Sequence, residues 1–149
     1  MKSIDIAQKS VTERTAIAKG FIKLSKESVS RIKNQEIEKG DPLTVAELKA
    51  IEAVKETPHA IAFCHSIPID YTEAHCELKD DGVEVTVTVK SEAKTGVEME
   101  ALYGVSVALL NIWDMVKKYE KDETGQYPFT EIKNIRVLRK IKRDLKNQL

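Results

Sequence analysis

The sequence predicts an α+β chain, an antiparallel sheet with its helices gathered on one face. Two patterns lead there. Val83, Val85, Val87 and Val89 alternate with other side chains, the period of a strand with one buried face. They follow Asp80-Asp81-Gly82, a turn that pairs this strand with residues 69–78 as a hairpin. Further on, Ala101, Leu102, Val105, Ala108, Leu109, Ile112 and Val116 recur at helical spacing. They mark a long helix that starts after Thr95-Gly96 and runs to about Lys121.

The remaining elements fall around these two. Residues 12–24, TERTAIAKGFIKL, are rich in Thr, Ile and Phe and read as a first strand. Ser25 offers an N-cap, and Val29 and Ile32 supply the apolar stripe of a short helix ending before Gly40. Asp41-Pro42 opens a second helix, a capping carboxylate followed by proline at the first helical position. That helix sets Leu43, Ala46, Ala50 and Ala53 along one side, and Pro58 is expected to end it. Residues 59–68 have no clear period. A loop at 122–128 and a last strand, EIKNIRVLRKI, complete a single domain over 1–149. The order β-α-α-β-β-α-β, with one extra helix early on, is the ferredoxin-like split β-α-β.

At 149 residues and 42% hydrophobic, the chain can bury one core. Its 24 basic and 24 acidic side chains cancel, so no overall field draws it to nucleic acid or to an anionic membrane. A charged ligand must be held by local clustering. An aromatic content of 5% argues against a stacking platform for single strands. The opening residues MKSIDIAQKS lack the apolar segment of a signal peptide, and continuous apolar runs fall short of the ~18 residues of a membrane span. With two cysteines, the expectation is a cytoplasmic protein with free thiols.

Candidate residues stand out by their company. Asp114 lies in NIWDMVKK, inside an otherwise apolar helix, where a carboxylate must be tipped to solvent, paired or retained for chemistry. Lys117 is three residues on, on the same helix face. Lys39 precedes Gly40 and a helix N-terminus, a combination that suits an anion. Lys55 is read at the end of the second helix, where a cation complements the dipole, and Arg14 lies on the first strand. Cys64-His65 and His75-Cys76 invite a metal, but neighbours on a strand face opposite ways, so a four-ligand zinc site is not expected. His65 fits a phosphate ligand or a proton shuttle. Glu98 and Glu100 open the long helix, where the dipole favours them; a carboxylate there can also accept the paired N–H edge of a guanine-like ring.

Glu100 and Asp114 are fourteen residues apart, within about 40° of one helix face but roughly 21 Å apart along the axis. If both serve one small-molecule site, two copies of the helix must pack antiparallel and the site lies between protomers.

KGD at 39–41, AVKET around Lys55, FCHSIP at 63–68, KTGVEMEAL at 94–102 and IWDMVKK at 112–118 together resemble the cyclic pyranopterin monophosphate synthase family of molybdenum-cofactor biosynthesis, over about Asp5 to Lys140. The resemblance implies a ferredoxin-like lyase; no cofactor and no metal site of its own is expected. Its substrate would be the cyclic dihydroguanosine triphosphate made by a radical enzyme, converted to cyclic pyranopterin monophosphate with release of pyrophosphate. It further implies a homohexamer, a trimer of dimers, with active sites between subunits. By position, Asp114, Lys117 and Lys39 match the family's catalytic residues. Phe63, Cys64, His65, Met99 and Glu100 match substrate-binding segments, and Arg14, Lys55 and Lys9 match basic pocket residues. Ser66, Phe63, Pro42 and Trp113 depart from the usual pattern, and the tail KRDLKNQL replaces a Gly-rich one; Lys140 joins the pocket if the last strand keeps register. On this reading Lys39 and Lys117 transfer protons with lowered pKa values, Glu100 holds the base, and His65, Arg14 and Lys55 face the phosphates. The alternative is a non-catalytic ferredoxin-like module that binds a nucleotide or serves assembly.

Overall fold

The structure, a computed structural model, describes residues 1–145; the last four residues of the divergent tail, 146–149, lie outside the described residues. The observed order is β1 (Thr12–Lys23), α1 (Lys26–Lys33), α2 (Pro42–Ala60), β2 (Tyr71–Lys79), β3 (Gly82–Ala93), α3 (Glu98–Glu120) and β4 (Glu131–Arg143). The four strands form one sheet in the order β2-β3-β1-β4, with every neighbouring pair antiparallel. This is the expected α+β, ferredoxin-like architecture.

Alternation along the strands builds the core. Val83, Val85, Val87 and Val89 are fully buried, as are Ala16, Ala18 and Ile22 of β1. They face α3, whose Ala101, Val105, Ala108, Leu109, Ile112 and Val116 are all inaccessible to solvent. Gly20 marks the closest approach, because a Cβ there would stand 2.8 Å from both Leu109 Cδ1 and Val105 Cγ1. A larger residue there would have to push these side chains aside. α2 packs Ala46, Ala50, Ala53 and Val54 against the same layer.

Two sequence expectations need correction. Pro58 does not end α2, which continues to Ala60. Proline in a final turn removes only one helical bond, while Thr57 Oγ1 donates to the Ala53 carbonyl and the Ile61 N–H to that of Thr57. Lys55 therefore sits inside the helix, not in its last turn. The expectation that continuous apolar runs fall short of a span stands, although α3 is long and apolar enough, by length and composition alone, to cross a membrane. Half of that apolar window is nevertheless buried within the fold, and the helix serves as the core helix of this domain.

A buried carboxylate ties the ends together. Glu120, at the end of α3, accepts hydrogen bonds from the Ser25 N–H, the Ser25, Ser28 and Thr130 hydroxyls, and so pins the start of α1 and the approach to β4.

Candidate active site

The outer face of α3 carries Met99, Tyr103, Ser106, Leu110 and Asp114 in one line, with Met99, Leu110 and Asp114 open to solvent. Chemically active side chains collect at its two ends.

At the C-terminal end, Asp114 is solvent-facing and doubly paired. Lys117 Nζ stands 2.9 Å from Oδ1, and Lys39 Nζ donates to Oδ2 at 3.0 Å and to the Asp114 carbonyl at 3.0 Å. Lys117 arrives by helical spacing alone. Lys39 comes from the loop between α1 and α2, and that loop is anchored on both sides of it. Ile37 is buried, the Glu38 N–H donates to the Tyr119 hydroxyl, and Lys118 pairs with the Glu38 carboxylate at 2.6 Å. Gly40 (φ 116°) takes the left-handed backbone that turns the loop into α2, where Asp41 caps Leu43. Hydrogen bonds from Lys117 and then Lys39 hold the Asp114 carboxyl below the usual aspartate range. In return, the bond to Asp114 raises the Lys117 ammonium above the usual lysine value. The expectation of a lowered lysine pKa is thus reversed for Lys117, since its nearest charge is an anion and burial is slight. The cavity here measures only about 60 Å³.

At the N-terminal end the chemistry is inverted. Glu100 is 3% exposed, and burial pushes its carboxyl above the usual glutamate range; its own backbone N–H works against this and Glu98 adds to it. Cys64 lies close by, its thiol raised first by burial and then by Glu100 and Glu98. Glu98 folds back over Gly96, where a Cβ would stand 2.1 Å from Oε1. That same oxygen faces Lys140 Nζ at 3.4 Å, an ion pair without hydrogen-bond alignment. The β1–β4 ladder shifts register between Ile17 and Ala18 and between Lys19 and Phe21, but it sets Lys140 beside Ala16, within reach of Glu98. Phe63 and Met99 are exposed beside it, at 54% and 42%. Phe63, His65 and Lys9 share a cavity of about 440 Å³, within the roughly 300–1,000 Å³ of small-molecule sites.

Two of the candidates join neither cluster. Arg14 is buried on β1 between Ser91 and Lys142, and its Nε has no hydrogen-bond partner among the described residues. Lys55 is exposed along α2. His75 is exposed and Cys76 buried, on opposite faces of β2 as alternation requires, and the Cys76 thiol is pushed up to about 12, chiefly by burial. Glu98 is the residue that sequence reasoning left as a helix-start carboxylate. Its signal was Gly96, the small residue that makes room for its return.

Comparison with known proteins places this geometry. The profile described as the MoaC family matches residues 3–142. A probable cyclic pyranopterin monophosphate synthase of Sulfurisphaera tokodaii is 55% identical over 141 residues, 95% of this chain and 93% of its own. That of Sulfolobus acidocaldarius is 53% identical, covering 93% of this chain and 97% of its own, and that of Aeropyrum pernix 53%, covering 90% and 92%. Agreement of this extent spans both ends of α3 and the strands beneath, so the chain belongs to the MoaC family.

Proposed function

We propose that this protein is a cyclic pyranopterin monophosphate synthase, the lyase of molybdenum-cofactor biosynthesis that converts the cyclic dihydroguanosine triphosphate to cyclic pyranopterin monophosphate and pyrophosphate. Family membership and the names of the relatives support the reaction. The observation that carries the site is the division of labour along α3. Three charged groups sit at one end around a cavity too small for a nucleotide, while the buried Glu100 lies roughly 21 Å along the helix axis and the large cavity is lined by other residues. Neither end suffices alone. A second copy packed antiparallel along the exposed Met99–Leu110 line brings Asp114 of one protomer to Glu100 of the other, and a two-fold axis makes two such sites at once. A homohexamer built as a trimer of these dimers, working in the cytoplasm, is the assembly we favour.

In that site each group has a task set by its environment. Lys117 enters as an ammonium, oriented by Asp114, and gives a proton to the opening ring. Lys39, sharing the same carboxylate, is the second proton-transfer group. Glu100 accepts two N–H donors from the guanine-like edge. Since those donors stabilise the carboxylate, binding expels the proton that burial favours, and KM rises as pH falls through the raised Glu100 range. His65, with Lys9 in the same cavity, faces the triphosphate and the departing pyrophosphate, a role Arg14 and Lys55 do not share from where they stand.

Subunit mixing tests the shared site. Lys117→Ala and Glu100→Ala chains, each inactive alone, are unfolded together and reassembled. Half of random dimers are mixed and one of their two sites is intact, so roughly a quarter of wild-type pyrophosphate release should return. No recovery in a mixture shown to contain mixed dimers removes the shared site. A wild-type chain that binds the cyclic triphosphate without releasing pyrophosphate removes the lyase itself.

A further inference from the structure

We propose that the segment before β1, residues 1–9, is a working wall of the substrate half-site: its Ile4 carbonyl fixes which nitrogen of His65 carries hydrogen, and its Lys2 adds a cation to the polyphosphate cavity. The proposal rests on the substrate assigned above and deepens it.

The bond itself sets the tautomer. His65 Nε2 stands 2.8 Å from the Ile4 carbonyl oxygen. A carbonyl only accepts, so Nε2 bears the hydrogen, and in the neutral ring Nδ1 keeps its lone pair. Among the described residues Nδ1 has no hydrogen-bond partner. It is left as the one working atom of the ring, accepting a proton when neutral and donating N–H to an oxyanion once protonated. The Ile4 carbonyl accepts from the other side of the ring in either state.

The segment is held where this can matter. Lys94 Nζ donates to the Ala7 carbonyl at 3.2 Å, the Ala7 N–H to Asp5 Oδ1 at 2.8 Å, and the Lys9 N–H to the Ile6 carbonyl at 3.0 Å. Lys94 opens the turn that leads into α3 and Glu98, so one stretch of chain ties the wall to the base-binding carboxylates. The cavity, about 440 Å³ and open to solvent on one side, is walled by Lys2, Ile4, Lys9, Phe63, His65 and Thr95 among others, and no acidic side chain lines it among the described residues. Two lysines and a histidine with no carboxylate describe a receptor for an anion, and the substrate's anionic part is its triphosphate.

The test uses the wild-type protein, a variant lacking residues 2–6, the full-length Lys94→Met, and Lys2→Ala. Nitrogen-15 NMR of the histidine ring should show His65 as the Nε2–H tautomer in the wild type. It should show a tautomer mixture in the shortened chain, and a partial one in Lys94→Met. For pyrophosphate release, the shortened chain should lose about tenfold or more in kcat/KM, as expected for removing a hydrogen bond to an ionised group. Lys2→Ala should raise KM alone, with kcat and the tautomer unchanged. Unchanged kinetics and tautomer in the shortened chain overturn the proposal. If the wild type releases no pyrophosphate, the assigned reaction fails by itself. Binding of inorganic pyrophosphate then decides for the wall: weaker binding to the shortened chain and to Lys2→Ala supports it, and equal binding overturns it.

Discussion

The two ends of α3 carry the same functional group in opposite states. Asp114 is open to solvent and held ionised by two lysines, whereas Glu100 is sealed from water and pushed towards its neutral form. The difference lies in the surroundings, not in the acid: hydrogen-bonded cations favour the charged form and burial favours the uncharged one. In the proposed site, one end would keep fixed charge for proton transfer. The other would keep a carboxylate that a ligand's N–H donors draw into its charged form.

The contrast can be broken most severely at the charged end. Lys117→Ala, and separately Lys39→Ala, should lower kcat for pyrophosphate release by about 10²–10⁴-fold, the range of a lost acid–base group. Melting temperature should barely move, because exposed ion pairs contribute little to stability. A large fall in melting temperature with turnover intact would make the pair structural.

Glu100→Gln sharpens the other side. It keeps an acceptor but loses the charge, so KM should rise by about tenfold or more, as for a hydrogen bond to an ionised group. It also carries a stability signature. Because the native carboxyl titrates above the ordinary glutamate value of 4.5, the folded state holds the proton longer than the unfolded chain does. Stability therefore falls as pH rises from the ordinary glutamate range through the raised one, and is not penalised below it. Thermal melts from pH 4 upwards should show this decline in the wild type and not in the variant; parallel curves would return Glu100 to an ordinary environment.

Glu120→Ala separates mechanics from chemistry at the same helix end as Asp114. Removing this acceptor strands the Ser25, Ser28 and Thr130 donors and should cost about 1–3 kcal/mol in denaturant unfolding. Turnover per folded molecule should stay close to wild type when assayed in the cold. Gly96→Ala is the mildest change. The new methyl displaces the flexible Glu98 carboxylate and not the backbone, so stability should hold. KM should rise only a few-fold, because a carboxylate beside the base is moved and not removed.

These features were unequally legible in the sequence. The hairpin and α3 could be read because burial repeats locally, at period two in Val83–Val89 and at helical spacing from Ala101 to Val116. Asp114 and Lys117 were visible as a helical pair for the same reason. Lys39 was marked by its Gly40-Asp41-Pro42 neighbours and by family resemblance, but its contact with Asp114 spans 75 residues and depends on Ile37, Glu38 and Tyr119 seating the loop. Local pattern cannot foresee that. Nor could it foresee the reversal at Lys117, because a pKa follows the nearest charge in space. The Ile4 carbonyl was invisible in principle, since every residue has one and only the path of the chain brings this one to His65.

The Glu120 cluster makes α1, the end of α3 and the start of β4 one cooperative unit. Its partners are drawn from residues 25, 28 and 130, so no one of these segments can open without stranding hydroxyls or an amide that the others still face. Native-state hydrogen exchange should find amides in the three segments leaving protection with a common opening free energy. The loop that carries Lys39 begins at the end of this unit and is tied to Tyr119 within it, so lysine and aspartate should move together when the unit fluctuates.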